Sequence, residues 1–281
     1  MKLLDVKKHI PKNLQKKYAL FIMRFLDNVN EQMEDACSKY FSVLSEIRLD
    51  VKDPFDGLLE KLAKIILDLY TDTKFIVGIS KIGNEVFLHN DKFYGDKIFQ
   101  LIGFNEIPYF KKKTWLDAWT NKNVNLIKGI SEENAKNVAN IFYDAVGEGT
   151  SRKEIVKKLK KQFGYNDARA KLIADDQINK LNANIDRVKQ RQNGVTHFFW
   201  RTVGDLAVRS KHQKFNDKRY SWKKGANGVF PGQEVRCRCF AEPDLSPVFG
   251  KDFLKDIDLE NDYEQAEWLK EENRKELEQG R

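Results

Sequence analysis

The stretch Trp200–Cys239 reads WRTVGDLAVRSKHQKFNDKRYSWKKGANGVFPGQEVRCRC and concentrates residue types that are rare elsewhere in the chain. It holds two of the five Trp, two of the three Cys and one of the four His. Outside it, apolar residues recur mostly with the 3.6-residue period of amphipathic helices. This segment is therefore expected to determine how the fold differs from a purely helical one.

Within and beside this segment, the pattern predicts a small α+β domain. Aromatic and β-branched residues over Thr196–Thr202 predict a strand, and Arg219–Trp222 and Val235–Ala241 predict two more. A short helix is expected between the first two strands, with Asp205 as its N-cap and its end near Lys214.

The fold class that follows is mainly α with a small α+β C-terminal domain. We expect four regions in chain order: a long helical N-terminal region (1–124), a helical connector (125–194), the compact motif domain (195–245) and an acidic helical tail (246–281).

Apolar spacing and breaker residues predict the helices of the other regions. Phe75–Phe99 is ambiguous, because it suits either a strand or a helix weakened by Gly78 and Gly83. The predicted helices are two or three within Leu14–Tyr70, one near Thr114–Asn123, one capped by Ser131 and ending near Val146, one from Ser151 to Phe163 that Gly164 stops, one over Asp167–Gln192, and an acidic one over Asp262–Gln279.

Charge is polarised along the chain. Residues 151–240 carry 22 basic and 8 acidic side chains, a net charge of +14, whereas residues 1–150 carry +1 and residues 241–281 carry −7. A basic block is typical of a protein that binds a polyanion, although lysine-rich helices can also be merely solvated. The candidate DNA contacts are Lys157, Lys158, Lys161, Lys218, Arg219, Lys223 and Lys224.

The bulk composition favours a globular protein in a reducing compartment. No apolar run approaches the roughly 18 residues of a membrane span, and the N-terminus lacks the apolar core of a signal peptide. Three cysteines, one of them isolated in a helical pattern, do not form a disulfide framework.

The cysteines and the histidine of the segment allow two interpretations. Asp205, Arg209 and His212 would share one face of a helix, and Cys237 and Cys239 one face of a strand. Packed together, the histidine and the two cysteines would make a zinc ligand set. Alternatively, Asp205 caps the helix, Arg209 pairs with a carboxylate or carbonyl, and the cysteines are small buried apolar residues. The second interpretation is favoured.

Catalysis finds little support in the sequence. A Cys/His nucleophilic pair lacks an evident third, orienting residue. The carboxylates of Asp205, Asp217 and Glu234 are scattered rather than gathered for a metal-dependent nuclease. Trp200 and Trp222 could stack on bases, but their strand-like contexts favour a place in the core.

At these residues the chain resembles the phage Mu F-type head morphogenesis family, the minor capsid proteins of tailed phages. The resemblance extends from about Asn123 to Pro243 and includes NVNLIKGI (123–130) and ARAKLIADDQ (168–177). Many members have glycine in the turn where this chain has Asn216-Asp217, and some replace the Arg-x-x-His pair with Cys-x-x-Cys. The residues that carry the resemblance are Trp200, Asp205, Arg209, His212, Pro231, Gly232, Cys237, Arg238 and Cys239.

The resemblance implies a structural, non-enzymatic minor head protein without a cofactor. It would be made in the host cytoplasm and lie inside the capsid near the portal vertex. Its expected partners are the portal protein, packaged double-stranded DNA bound without sequence specificity, and further the scaffold or major capsid protein; no membrane partner is expected. The alternatives are a zinc-dependent nucleic-acid-binding or processing domain and a phage-borne toxin.

Overall fold

The computed structural model describes residues 9–44, 56–94, 109–148, 150 and 152–246. Over these residues it consists mainly of helices, with a small antiparallel sheet near the end of the described chain. The predicted fold class, mainly α with a small α+β domain, is confirmed. The predicted acidic helix over Asp262–Gln279 lies outside the described residues.

The elements of the described residues follow in chain order. They are α1 (Lys12–Leu44), α2 (Asp56–Tyr70), α3 (Thr73–Tyr94), α4 (Tyr109–Glu148), α5 (Arg152–Gln192), β1 (His197–Arg201), α6 (Ser210–Phe215), β2 (Arg219–Ser221) and β3 (Phe240–Pro243). None of these helices combines the length and the apolar character that a membrane span requires.

The structure resolves one ambiguous region as a helix and shows that two predicted helix boundaries, at Ser131 and Gly164, are wrong. The ambiguous region from Phe75 is helical, and Gly78 allows close packing: a Cβ there would lie 2.5 Å from the Phe21 ring. Ser131 does not cap a helix, because it lies buried inside α4 with its hydroxyl 2.8 Å from the Tyr70 hydroxyl. Helix α5 continues through Gly164, where glycine costs only about 1 kcal/mol relative to alanine.

The chain divides into two compact units that combine segments distant in sequence. Unit 1 comprises Met1–Leu14, Gly83–Trp115 and Asp176–Arg281, and unit 2 comprises Gln15–Ile82 and Leu116–Asp175. In its described part, unit 2 is helical. Its core includes the buried Tyr18, Ile22, Leu26, Leu62, Ile66, Phe75, Ile127, Val138 and Phe142.

The sheet of unit 1 has the order β2-β1-β3, with both neighbours antiparallel to the central strand. Phe198 and Trp200 alternate with half-buried residues along β1 and are both fully buried, as the core interpretation predicts for Trp200. Trp222, just after β2, is buried as well and stacks on Phe230. The predicted first and second strands are therefore confirmed.

One glutamine of α5 ties the helix to this sheet. Gln190 is fully buried, and its Oε1 accepts a 3.0 Å hydrogen bond from the Trp222 indole N–H. Its Nε2 donates a 2.8 Å hydrogen bond to the Ala241 carbonyl of β3. Because a buried amide must find partners for both ends, this side chain fixes α5 against two separate parts of the motif domain.

Candidate functional site

The short helix α6 supplies the histidine of the candidate site. It begins only at Ser210, so Asp205 is not its N-cap as predicted, and Arg209 occupies the cap position. Asp205 instead lies in a turn, where its Oδ1 accepts a 3.1 Å hydrogen bond from the Ala207 N–H. The predicted alignment of Asp205 with His212 on one helix face is therefore wrong, since a turn intervenes.

The two cysteines reach the site from an irregular segment rather than from a strand. The predicted strand over Val235–Ala241 is wrong, because the third strand begins at Phe240. Before it, the Cys237 N–H donates a 2.9 Å hydrogen bond to the Glu234 carbonyl, closing a turn. Arg236 has a φ of +60° in this turn, and its N–H donates a 3.1 Å hydrogen bond to Asp176 Oδ1 of α5.

The structure brings the three predicted metal candidates together. His212 Nδ1 lies 3.6 Å from Cys237 Sγ and 3.5 Å from Cys239 Sγ. One ligand atom of each residue lies within 4.8 Å of the other two. The residues are 2%, 3% and 7% exposed for His212, Cys237 and Cys239, so the cluster is shielded from solvent.

A carboxylate lies on the opposite side of the histidine ring. Glu234 Oε2 is 3.2 Å from His212 Nε2, but the two atoms do not form a hydrogen bond. Glu234 also forms an ion pair with Lys211, and Arg209 Nη1 is 3.6 Å away. The hydrogen bond from Lys211, together with these cations, keeps the pKa of the Glu234 carboxyl below its usual value. We predicted Glu234 to be one of several scattered carboxylates, and no sequence spacing signals its contact with His212.

The thiols of Cys237 and Cys239 shift each other's pKa in opposite directions. A hydrogen bond from the Cys239 thiol lowers the pKa of Cys237 to about 6 despite its burial, and the Gly232 N–H supports the thiolate from 3.4 Å. The same hydrogen bond, with burial, raises the pKa of Cys239 far above its usual value, which Trp200 partly offsets. The pair therefore holds a first negative charge readily and a second only with help from a cation.

The other motif residues support this arrangement. Arg209 donates a 2.7 Å hydrogen bond to the Val235 carbonyl, as the carbonyl-pairing interpretation predicts. Arg238 binds both carboxylate oxygens of Asp205, at 2.5 and 2.7 Å. Pro231 and Gly232 are buried, and Gly232 has a φ of +76°. The hydrogen bonds of Arg209 and Arg238 therefore tie the segment before β3 to the residues at and before the start of α6.

The candidate DNA contacts are exposed but belong to different units. Lys157, Lys158 and Lys161 lie on the unit 2 part of α5, whereas Lys218, Arg219, Lys223 and Lys224 lie in unit 1. Arg219 is engaged within the protein, because its Nε donates a 2.6 Å hydrogen bond to Asp244 Oδ2. The structure does not gather the seven into one site within a unit.

A basic groove in unit 1 contains one of these residues. Lys223 lines a cavity of about 510 Å³ together with Arg187, Arg191 and Trp222. The Arg187 guanidinium lies 4.2 Å from the centre of the Phe230 ring, and burial and the neighbouring Arg191 lower its pKa. Sequence reasoning missed both arginines. Their i, i+4 spacing near the end of a basic helix is the signal that could have found them.

The fold and the site together define a mainly helical protein in which a small sheet and a buried His/Cys cluster belong to the same unit. Residues 136–242 match the family described as Phage Mu protein F like protein. The predicted resemblance is thereby confirmed: this region of the chain is similar to phage Mu F-like proteins.

One curated relative is similar to part of this chain. An uncharacterized protein of Haemophilus influenzae is 28% identical over 131 residues, which cover 46% of this chain. The matched region spans only 29% of that protein's length. No solved structure matches the chain.

Proposed function

We propose that this protein is a structural, non-enzymatic minor head protein of a tailed phage, located inside the virion near the portal vertex. The family match over residues 136–242 carries the proposal, because it includes α6, β1, β2, most of β3 and every motif residue. The burial of the His/Cys cluster supports a structural role, since a substrate needs access to the reactive atoms.

A protein in this position would contact the portal protein and, during assembly, the scaffold or major capsid protein. To test this, the chain is co-expressed with the portal, scaffold and major capsid proteins of its own phage, and assembled heads are purified. Quantitative mass spectrometry is expected to find the chain in few copies per particle. Omission of the portal protein should remove it. A chain that stays entirely outside the particles would contradict the proposal.

Contact with packaged DNA would use the basic groove of Arg187, Arg191 and Lys223. Three cations beside an aromatic ring suit phosphate, and binding to phosphates releases counterions from the duplex. The affinity should therefore be independent of sequence and fall steeply with salt. Lys224, next in sequence to Lys223 and also exposed, would add to this surface.

The groove is tested with the double variant Arg191→Gln/Lys223→Gln. Each lost phosphate contact should lower the slope of log affinity against log salt by about 0.9. The matched control is Lys64→Gln/Lys74→Gln, which removes the same charge from exposed positions on α2 and α3. Equal loss in both variants would show that net charge, rather than the groove, determines binding. No binding of the unaltered protein at low salt would overturn the DNA contact altogether.

A further inference from the structure

We propose that His212, Cys237 and Cys239 bind one zinc ion, which fastens α6 to the segment before β3. The site goes beyond the role in the phage head, because it concerns how the motif domain itself is held together. Two thiolates and an imidazole are ligands that zinc prefers in proteins.

The spacing of the three ligand atoms suits a shared tetrahedral ion. With Zn–S of about 2.3 Å and Zn–N of about 2.05 Å, tetrahedral angles place the nitrogen and each sulfur about 3.6 Å apart. The observed separations from His212 Nδ1 are 3.6 Å to Cys237 Sγ and 3.5 Å to Cys239 Sγ. Both nitrogen-to-sulfur separations therefore match those expected around a shared tetrahedral ion.

The groups around the ligands are also those that a zinc site needs. Coordination through Nδ1 leaves a proton on Nε2 of His212, and the Glu234 carboxylate lies 3.2 Å from that nitrogen. The Gly232 N–H points at Cys237 Sγ from 3.4 Å. The buried indole nitrogen of Trp200 has no hydrogen-bond partner among the described residues. Such outer contacts orient metal ligands and stabilise thiolates.

The fourth position of the ion would be taken by water. A cavity of about 10 Å³ borders both cysteines, with Asn179 and Asn182 among its other walls. This is about the volume that one water molecule requires, and the two amides provide polar partners for it.

The test measures zinc in the full-length chain, purified under reducing conditions and dialysed against a zinc-buffered solution. We expect about one zinc ion per chain by elemental analysis, and loss of zinc from Cys237→Ser and Cys239→Ser. Cys37→Ala is the matched control, because Cys37 is also a buried free thiol but belongs to unit 2. It should retain the full zinc content.

Two further measurements keep the test decisive if the cysteine variants misfold. Replacement of zinc by Co²⁺ in the unaltered chain should give thiolate-to-cobalt charge-transfer absorption. Glu234→Gln, at a partly exposed position, should weaken zinc affinity about 10–100-fold while the fold is kept. Absence of stoichiometric zinc, absence of the cobalt band, or a disulfide between Cys237 and Cys239 in the purified chain would overturn the proposal.

Discussion

Gly232→Ala should destabilise the motif domain by two separable effects. Gly232 has a φ of +76°, where a residue with a Cβ is strained by about 1–2 kcal/mol. A Cβ there would also overlap the Cβ of Ala183 on α5, far inside the roughly 3.5–4.0 Å at which carbon atoms normally meet. Forcing a methyl group into a packed site typically costs about 1–3 kcal/mol. The free energy of unfolding should therefore fall by roughly 2–5 kcal/mol.

Gly204→Ala separates these two contributions. Gly204 has nearly the same φ, +75°, but a Cβ there would meet nothing within 4 Å. It should therefore lose only the strain component, about 1–2 kcal/mol. Urea denaturation followed by tryptophan fluorescence measures both variants, since Trp200 and Trp222 are buried in the same domain.

A second substitution tests whether Ala183 is the cause of the added loss. Ala183→Gly alone should cost about 1 kcal/mol, because it places glycine inside a helix. In the Gly232→Ala background it should instead recover stability by removing the overlapping carbon. Equal destabilisation by Gly232→Ala and Gly204→Ala, or simple additivity of the two substitutions at 183 and 232, would refute the packing argument.

Two further predictions concern charged groups of unit 1. Asp186→Ala removes the buried carboxylate that lies 2.6 Å from His9 Nε2. The free energy of unfolding, measured by urea denaturation, should fall by about 3–5 kcal/mol. Asp205→Ala, which breaks an exposed ion pair with Arg238, should lower it far less. For Asp244, burial raises the pKa, but hydrogen bonds from Ser246 and Arg219 more than offset it and keep the pKa below its ordinary 3.8. The difference in unfolding free energy between the unaltered chain and Asp244→Asn should therefore be largest above pH 3.8 and shrink as the pH falls through the lower pKa of the folded state. A difference that does not change with pH would contradict the lowered pKa of Asp244.

The fold class could be predicted because the apolar periodicity of a helix or strand is set by residues close together in the sequence. The strand at Thr196–Thr202 and the buried Trp200 follow from such a pattern. The errors at Ser131 and Gly164 have the opposite origin. Both residues are local stop or cap signals of at most about 1–2 kcal/mol, and the packing of a helix of 40 or 41 residues outweighs them. Only contacts distant in sequence, such as Ser131 with Tyr70, reveal this.

In the candidate site, too, the sequence predicted which residues could be ligands but not the backbone that carries them. The alternation of Cys237 and Cys239 suggested a strand, yet both thiols reach His212 from a turn with a positive φ at Arg236. Two residues of α5 hold that turn in place. Asp176 accepts a hydrogen bond from the Arg236 N–H. Ala183, two turns further along the helix, packs against residue 232 so closely that only glycine fits there. The position of the two thiols is therefore set by α5, which lies before the motif in sequence and carries no ligand itself. Helix α5 also lies within the matched residues 136–242, so the contacts that position the thiols belong to the region that resembles the family.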